Sequence, residues 1–246
     1  MNAKMNLLAL ALLGLAGYAG SAVAGCPSSP VPPWSAAAQL SGGVVAISAG
    51  GLDSSACKMD ASLGGSFSSL ATVIDNTPSA EQRYRFQFLV NPDATGTFGN
   101  TDAVQIFSAN AAAAANGRTP ILQLALTPGS SGAKRISLIA SCDGGSNFRC
   151  SAQTADLPAG VSRFEVDLQI GAAGSVSYWL NAAQGTTEPA PTGTVTVTGG
   201  NNSWNGGVDS GVMGLGAPTP NFKNNHAGQI VSFDTFDSRR STYIGW

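Results

Sequence analysis

Two carboxylates stand two residues apart in Arg163-Phe164-Glu165-Val166-Asp167-Leu168-Gln169-Ile170. Apolar and polar residues alternate there at period two, the mark of a strand with one buried face and one open face. Glu165, Asp167 and Gln169 therefore share one face, while Phe164, Val166, Leu168 and Ile170 are core. Carboxylates so spaced on a strand lie about 6.6–6.8 Å apart along it. Such a pair is the raw material for cleaving a glycosidic bond, which needs one carboxyl to attack or activate water and another to protonate the leaving oxygen. The next acidic position is filled by Gln169, or by Ile170 one residue further on, and neither can donate that proton. No catalytic residue is assigned: Arg163, Glu165 and Asp167 read as a polar ladder facing solvent or a groove.

His226 is the one histidine of the chain, which excludes a His-rich metal site and a pair of catalytic histidines. It falls in Asn224-Asn225-His226-Ala227-Gly228, a loop sequence, and no Gly-x-Ser-x-Gly elbow accompanies it. Its expected role is structural. Aromatic rings outside a core can stack on the apolar faces of sugars. Trp179 stands on the opposite face of its strand from Val176, Tyr178 and Leu180, and Trp204 lies in the amide-rich Asn201-Asn202-Ser203-Trp204-Asn205-Gly206-Gly207. The expected ligand-binding set is thus Trp179, Trp204, Glu165, Asp167 and Gln169.

Four cysteines, Cys26, Cys57, Cys142 and Cys150, allow three pairings. Cys142 and Cys150 bracket the turn-forming Asp-Gly-Gly-Ser-Asn, so a hairpin bridge between them is the simplest solution, and it leaves Cys26 for Cys57. Each such bridge contributes about 2–4 kcal/mol. Disulfides require an oxidising compartment, and the amino terminus agrees. Residues 1–24 read as a signal peptide, with Lys4 before the apolar run Met5–Ala16 and Ala22-Val23-Ala24 as the cleavage site. Val23-Ala24-Gly25-Cys26 also fits a lipobox, in which Cys26 would carry lipid and anchor the protein to a membrane.

Those residues sit in a chain of 246 residues that is 43% hydrophobic and only 11% charged, with 31 glycines. The apolar content excludes general disorder. A formal charge of −2, without a basic block, argues against nucleic acid as a partner. No three-turn helical stripe follows the leader. Alternating segments recur instead at Val44–Ser48, Cys57–Ser62, Arg83–Val90, Ala103–Ala109, Ile121–Thr127, Arg135–Ser141, Arg163–Ile170, Ser175–Asn181, Thr194–Thr198 and Gln229–Phe236. Turn signals such as Asn91-Pro92-Asp93 and Gly171-Ala172-Ala173-Gly174 separate them. Ten to fourteen strands without helical crossovers predict two antiparallel sheets packed face to face, or a barrel. The expected organisation is a signal peptide over 1–24, a Pro-rich strap over 25–38 and one β-sandwich domain over 39–246.

The ordered set Leu52-Asp53, Cys57-Lys58-Met59, Ala71 to Pro78, Glu81 to Phe86, Val104 to Phe107, Arg163 to Asp167, Ser175 to Asn181, and Phe233 to Arg240 with Tyr243-Ile244-Gly245 resembles the bacterial laminin-G-like members of the concanavalin A-like jelly rolls. The resemblance implies a two-sheet antiparallel jelly roll that binds a glycan, glycoconjugate or protein of the cell envelope. Laminarinase-like hydrolases share this jelly roll and carry Glu-x-Asp-x-Glu or Glu-x-Asp-x-x-Glu, a pattern from which Glu165-x-Asp167 departs at its last member. A cleaving enzyme that takes its second carboxylate from elsewhere in the groove is the alternative, and a structural surface lipoprotein is another. Calcium is the usual ion of the superfamily. Asp93, Asp102 and Asp143 are the acids available to it, but they form no dense motif, and no cofactor is assigned. Asp234 and Asp237 beside Arg239 and Arg240 read as structural ion pairs.

Overall fold

The computed structural model describes residues 25–112, 120–142, 149–171, 173–183, 185, 187–196, 207–239 and 241–245. The strands are β1 Ala36–Leu40, β2 Val44–Ala49, β3 Cys57–Ser62, β4 Leu70–Asp75, β5 Arg83–Asn91, β6 Val104–Asn110, β7 Pro120–Pro128, β8 Lys134–Ser141, β9 Arg149–Leu157, β10 Ser162–Gln169, β11 Ser175–Leu180, β12 Gly193–Thr196, β13 Ser210–Gly216 and β14 Ile230–Arg239. One α-helix, α1, spans Pro220–His226. The strands form two seven-stranded sheets in the orders β1-β4-β13-β6-β7-β8-β9 and β12-β11-β10-β5-β14-β3-β2, and the paired strands are antiparallel throughout. This is an all-β jelly-roll sandwich.

Alternation drives the packing. Tyr84, Phe86, Phe88 and Val90 of β5 all turn inward and are buried, and Phe86 stacks on Phe107 of the opposite sheet with ring centroids 4.0 Å apart. Phe164, Val166 and Leu168 of β10 join the same core. Each fully buried ring or branched chain contributes about 1.5–3 kcal/mol. That burial fixes the register, because a one-residue slip would turn the whole apolar set to the outer face. The outer face of β5 and β10 thereby receives Arg83, Arg85, Gln87, Arg163, Glu165 and Asp167.

The structure adds elements that alternation did not reveal. β1 begins at Ala36, inside the expected strap, and β9 is a polar edge strand. β13 reads Ser-Gly-Val-Met-Gly-Leu-Gly. Its glycines fit close approaches: a Cβ on Gly211 would lie 2.8 Å from the Tyr84 hydroxyl, and one on Gly214, at φ +131°, would lie 2.2 Å from the Ala71 carbonyl oxygen. The sequence around His226 is helical rather than a loop. Thr219 caps α1 by accepting from the Phe222 N–H, Pro220 occupies its first turn, and Phe222 and His226 bury one face. Seven residues are too few for a three-turn stripe.

Disulfides join Cys26 to Cys57 and Cys142 to Cys150, with Cα separations of 5.6 and 5.8 Å. The second closes the β8–β9 hairpin, where Ala140 faces Cys150 and Ser141 faces Arg149. The first ties the segment that precedes β1 to β3, and Trp34 of that segment packs on Phe236. No helix among the described residues is long and apolar enough to cross a membrane.

Candidate functional site

Register and alternation assemble a charged cluster on the outer face of the second sheet. Glu165 faces Gln87 on one side and Trp179 on the other, while Asp167 faces Arg85 and Ser177. Arg83 makes a two-pronged bond to Asp167, with Nε–Oδ1 at 2.9 Å and Nη2–Oδ2 at 2.6 Å. That bond raises the guanidinium's pKa above its ordinary value, and partial burial opposes it less strongly. Arg85 is fully buried and donates through Nε to Glu165 Oε1 at 2.6 Å and through Nη1 to Glu188 Oε1 at 3.0 Å. Arg163 Nη2 bonds the other Glu165 oxygen at 3.1 Å. Carboxylates and guanidiniums so matched form strong, charge-assisted bonds.

Two segments outside the sheet complete the cluster. The loop after β11 supplies Glu188 and the Pro189 carbonyl, which accepts from Trp179 Nε1 at 2.9 Å. The chain after β14 turns back across the face. Its Ile244 N–H donates to Glu165 Oε1 at 3.1 Å, and Arg239 Nη1 donates to the Tyr243 carbonyl at 3.2 Å. Arg85 is held between two rings, its Cζ 4.4 Å from the centroid of Trp179 and 4.8 Å from that of Tyr243. Such stacking suits the planar guanidinium. Among the described residues, Arg85 Nη2, Gln87 Oε1 and the Tyr243 hydroxyl are buried here without a hydrogen-bond partner.

Of the expected binding residues, the structure brings together Glu165, Asp167 and Trp179. Trp179 is only 3% exposed, its indole packed beneath Arg85 and near Tyr243, so it presents no open ring for stacking. Gln169 is exposed at the end of β10. Trp204 lies outside the described residues, as do Asp143 and Arg240. Arg85, Gln87, Glu188 and Tyr243 were not among the expected site residues. Arg85 and Gln87 were visible as the polar side of β5, whereas no local pattern could place Glu188 or Tyr243 on that face.

The other candidate groups are committed elsewhere. His226 Nε2 lies 2.8 Å from Asp102 Oδ2, and Nδ1 lies 2.9 Å from the Thr95 carbonyl and 2.8 Å from Gln229 Oε1. Both nitrogens face acceptors in a buried site flanked by Phe98 and Phe222, so the ring has no open approach for a substrate proton. Asp102 Oδ2 also accepts from Gly99 N–H, and Asp93 Oδ2 accepts from Gly160 N–H. Among the described residues no three His, Cys, Asp or Glu side chains gather as metal ligands would. Asp237 pairs with Arg239 at 3.1 Å, but Asp234 instead accepts from Leu52 N–H, Ser55 Oγ and Thr235 N–H. A separate cavity of about 510 Å³ opens between the strap and the sandwich, lined chiefly by Pro30, Pro33, Trp34, Met59, Phe233 and Phe236.

Neither a protein-family model nor a curated protein sequence matches the chain. Solved structures do match in shape. The chain is similar to an endo-β-1,4-glucuronan lyase from the fungus Trichoderma reesei, at TM-score 0.62 and 11% identity over 89% of this chain and 95% of that one. It is similar to the alginate lyase Aly36B in complex with alginate trisaccharide, at TM-score 0.53 and 10% identity over 75% and 82%. It is similar also to a cellulose-induced protein, Cip1, at TM-score 0.51 and 15% identity over 82% and 87%. At these identities the likeness establishes the jelly-roll sandwich fold and nothing finer.

Proposed function

We propose that this chain is an exported, non-catalytic module that binds a glycan of the cell envelope or its surroundings, in the manner of laminin-G-like jelly rolls, and that the outer face of the second sheet is the binding face. The observation that carries the reading is the pairing of its acids. Glu165 and Asp167 are both buried, and each is bonded to an arginine of the same face. Held between cations, neither is placed to take and return a proton as cleavage demands. Planar charged groups such as these can instead bond sugar hydroxyls.

The matched solved structures lend support of a general kind, since two are polysaccharide lyases by name and one is induced by cellulose. Two disulfides fit an oxidising, periplasmic or extracellular location. A Cys26 bonded to Cys57 has no thiol left for a lipid anchor, which favours simple export over the lipoprotein alternative. The lyase likeness keeps cleavage as the second reading. Both are tested by presenting the chain from Gly25 to Trp246 to neutral and acidic polysaccharides, measuring retention and the release of chain ends together. Retention without new ends is expected. Turnover that disappears in Glu165→Gln would replace binding by catalysis.

A further inference from the structure

Resting on that reading, we infer that the carboxy-terminal segment Ser241–Gly245 is a built-in occupant of the binding face, and that the site beneath it takes a neutral glycan rather than a polyuronate. The first half follows from what the segment touches. Ile244 gives its backbone N–H to Glu165, Tyr243 lays its ring against Arg85, and Gly245 at φ +65° packs so closely that a Cβ there would lie 2.7 Å from the Gly185 carbonyl oxygen. These contacts join the end of the chain to the central strands of the sheet through one backbone hydrogen bond and one ring face. Arg85 and Glu165, which lie beneath, are 0% exposed, whereas Arg83 and Glu188 at the rim retain 37% and 42% side-chain exposure.

Fit within the cover is incomplete. Arg85 Nη2 lacks an acceptor and Gln87 Oε1 lacks a donor, although both are buried and stand two residues apart on the same face of β5. A buried polar atom without a partner calls for an explanation, and here two such atoms lie side by side under one covering segment. Departure of the segment would leave Glu165 Oε1 with one donor instead of two, Arg85 with one ring partner instead of two and its Nη2 still lacking an acceptor, and Gln87 Oε1 still lacking a donor. A pyranose supplies all of these, because each hydroxyl both donates and accepts and the ring offers an apolar face for the guanidinium plane.

The ligand class follows from the same residues. Arg83, Arg85, Arg163 and Arg239 are matched by Asp167, Glu188, Glu165 and Asp237, so the face is balanced in charge. A uronate carboxylate cannot itself donate to Glu165, and each of the four arginines it could pair with is already matched by an acid. A neutral hydroxyl has neither fault.

The test compares the chain from Gly25 to Trp246 with one ending at Arg239, by calorimetry against laminarihexaose, cellohexaose and xylohexaose and against alginate and glucuronan hexasaccharides. A synthetic peptide of residues 241–246 is titrated separately into the shortened chain. A site covered by its own segment loses apparent affinity in proportion to the fraction closed. We expect the shortened chain to bind a neutral hexasaccharide about ten- to hundred-fold more tightly, and the peptide to reverse the gain. Ile244→Pro, which removes the N–H to Glu165 without shortening the chain, should shift affinity in the same direction and serves if the truncation does not fold. Equal affinity of full, shortened and Ile244→Pro chains overturns the occupant. A gain confined to the uronates overturns the neutral class. Peptide binding with no sugar bound by any form upholds the docking of the segment and removes the glycan reading, and the absence of both removes both.

Discussion

Two buried polar clusters lie outside the aromatic core, and they are built in opposite ways. The Asp102–His226 cluster is built mainly from groups close to Asp102 and His226 in the chain: Gly99 N–H, the Thr95 carbonyl and Gln229 bond to it, helix α1 delivers the histidine, and Phe98 and Phe222 wall it in, with Asp102 Oδ1 buried and unpartnered. The Arg85–Glu165 cluster draws instead on β5, β10, the loop carrying Glu188 and the last residues of the chain. A cluster finished by local backbone can open only when the surrounding fold opens. One finished by a segment that lies on the sheet from outside, through one backbone hydrogen bond and one ring face, can exchange that partner for another molecule. The contrast separates a structural polar centre from one suited to recognition, although both are buried and charged.

The largest expected effect falls on the second cluster. Removing one member of a buried ion pair strands the other, at a cost of about 3–5 kcal/mol. Glu165→Ala should lower the unfolding free energy measured in urea by that amount, because Arg85 and Arg163 lose the carboxylate they share. A loss below about 1 kcal/mol, the range of a surface pair, would mean that the cluster is solvated and the comparison mistaken. Asp102→Asn comes next. It keeps the shape and an acceptor for Gly99 and His226 but exchanges charge-assisted bonds for neutral ones, a change of about 1–3 kcal/mol, read by the same unfolding measurement.

How far each cluster was legible in the sequence follows from the range over which it is assembled. Alternation in Arg83–Val90 and Arg163–Ile170 placed the arginines and acids on the outer sides of two strands and the aromatic residues in the core, and the two cysteine pairs followed from the hairpin between Cys142 and Cys150. The neighbour relation of β5 and β10 was not legible, since 70 residues lie between Asn91 and Ser162 and pairing over such distances leaves no local trace. Glu188 and Tyr243 were hidden for the same reason. His226 was misplaced because Asn-Asn-His-Ala-Gly has turn composition, and only the packing of Phe222 and His226 makes the preceding residues helical. β13 was hidden by its glycines, whose reason lies in the closeness of Ala71 and Tyr84 on neighbouring strands.

A coupling measurement sharpens the contrast further. The Ile244 N–H bond to Glu165 is present only while the terminal segment is docked. In a chain ending at Arg239, the cost of Glu165→Ala should therefore fall by about 1 kcal/mol, the net worth of one such bond. The cost of Asp102→Asn should not change, because no residue beyond Gln229 touches that cluster in the contacts that define it. Equal shifts at both sites would show that truncation loosens the whole sandwich and that the two clusters do not differ in kind.

The smallest effect belongs to a third charged group, which neither cluster includes. Asp156 near the end of β9 accepts from Arg135 Nε and Nη2 at 3.0 and 2.7 Å through Oδ1, and from Ser130 N–H at 3.0 Å through Oδ2. Hydrogen bonds from Ser130 first, and then the bonds and charge of Arg135, hold its carboxyl below the ordinary value of 3.8. A carboxyl lowered by folding stabilises the native state in its ionised form. Its contribution is complete above the ordinary value and disappears as pH falls through the lowered one. Asp156→Asn should therefore unfold earlier than the parent in urea at neutral pH, by a margin kept small by solvent screening at this open site. The margin should close as pH falls below 3.8, where the parent's carboxyl also becomes neutral. A margin that is the same at neutral pH and well below 3.8 would assign the effect to lost packing, and would show that Ser130 and Arg135 do not favour the charged form.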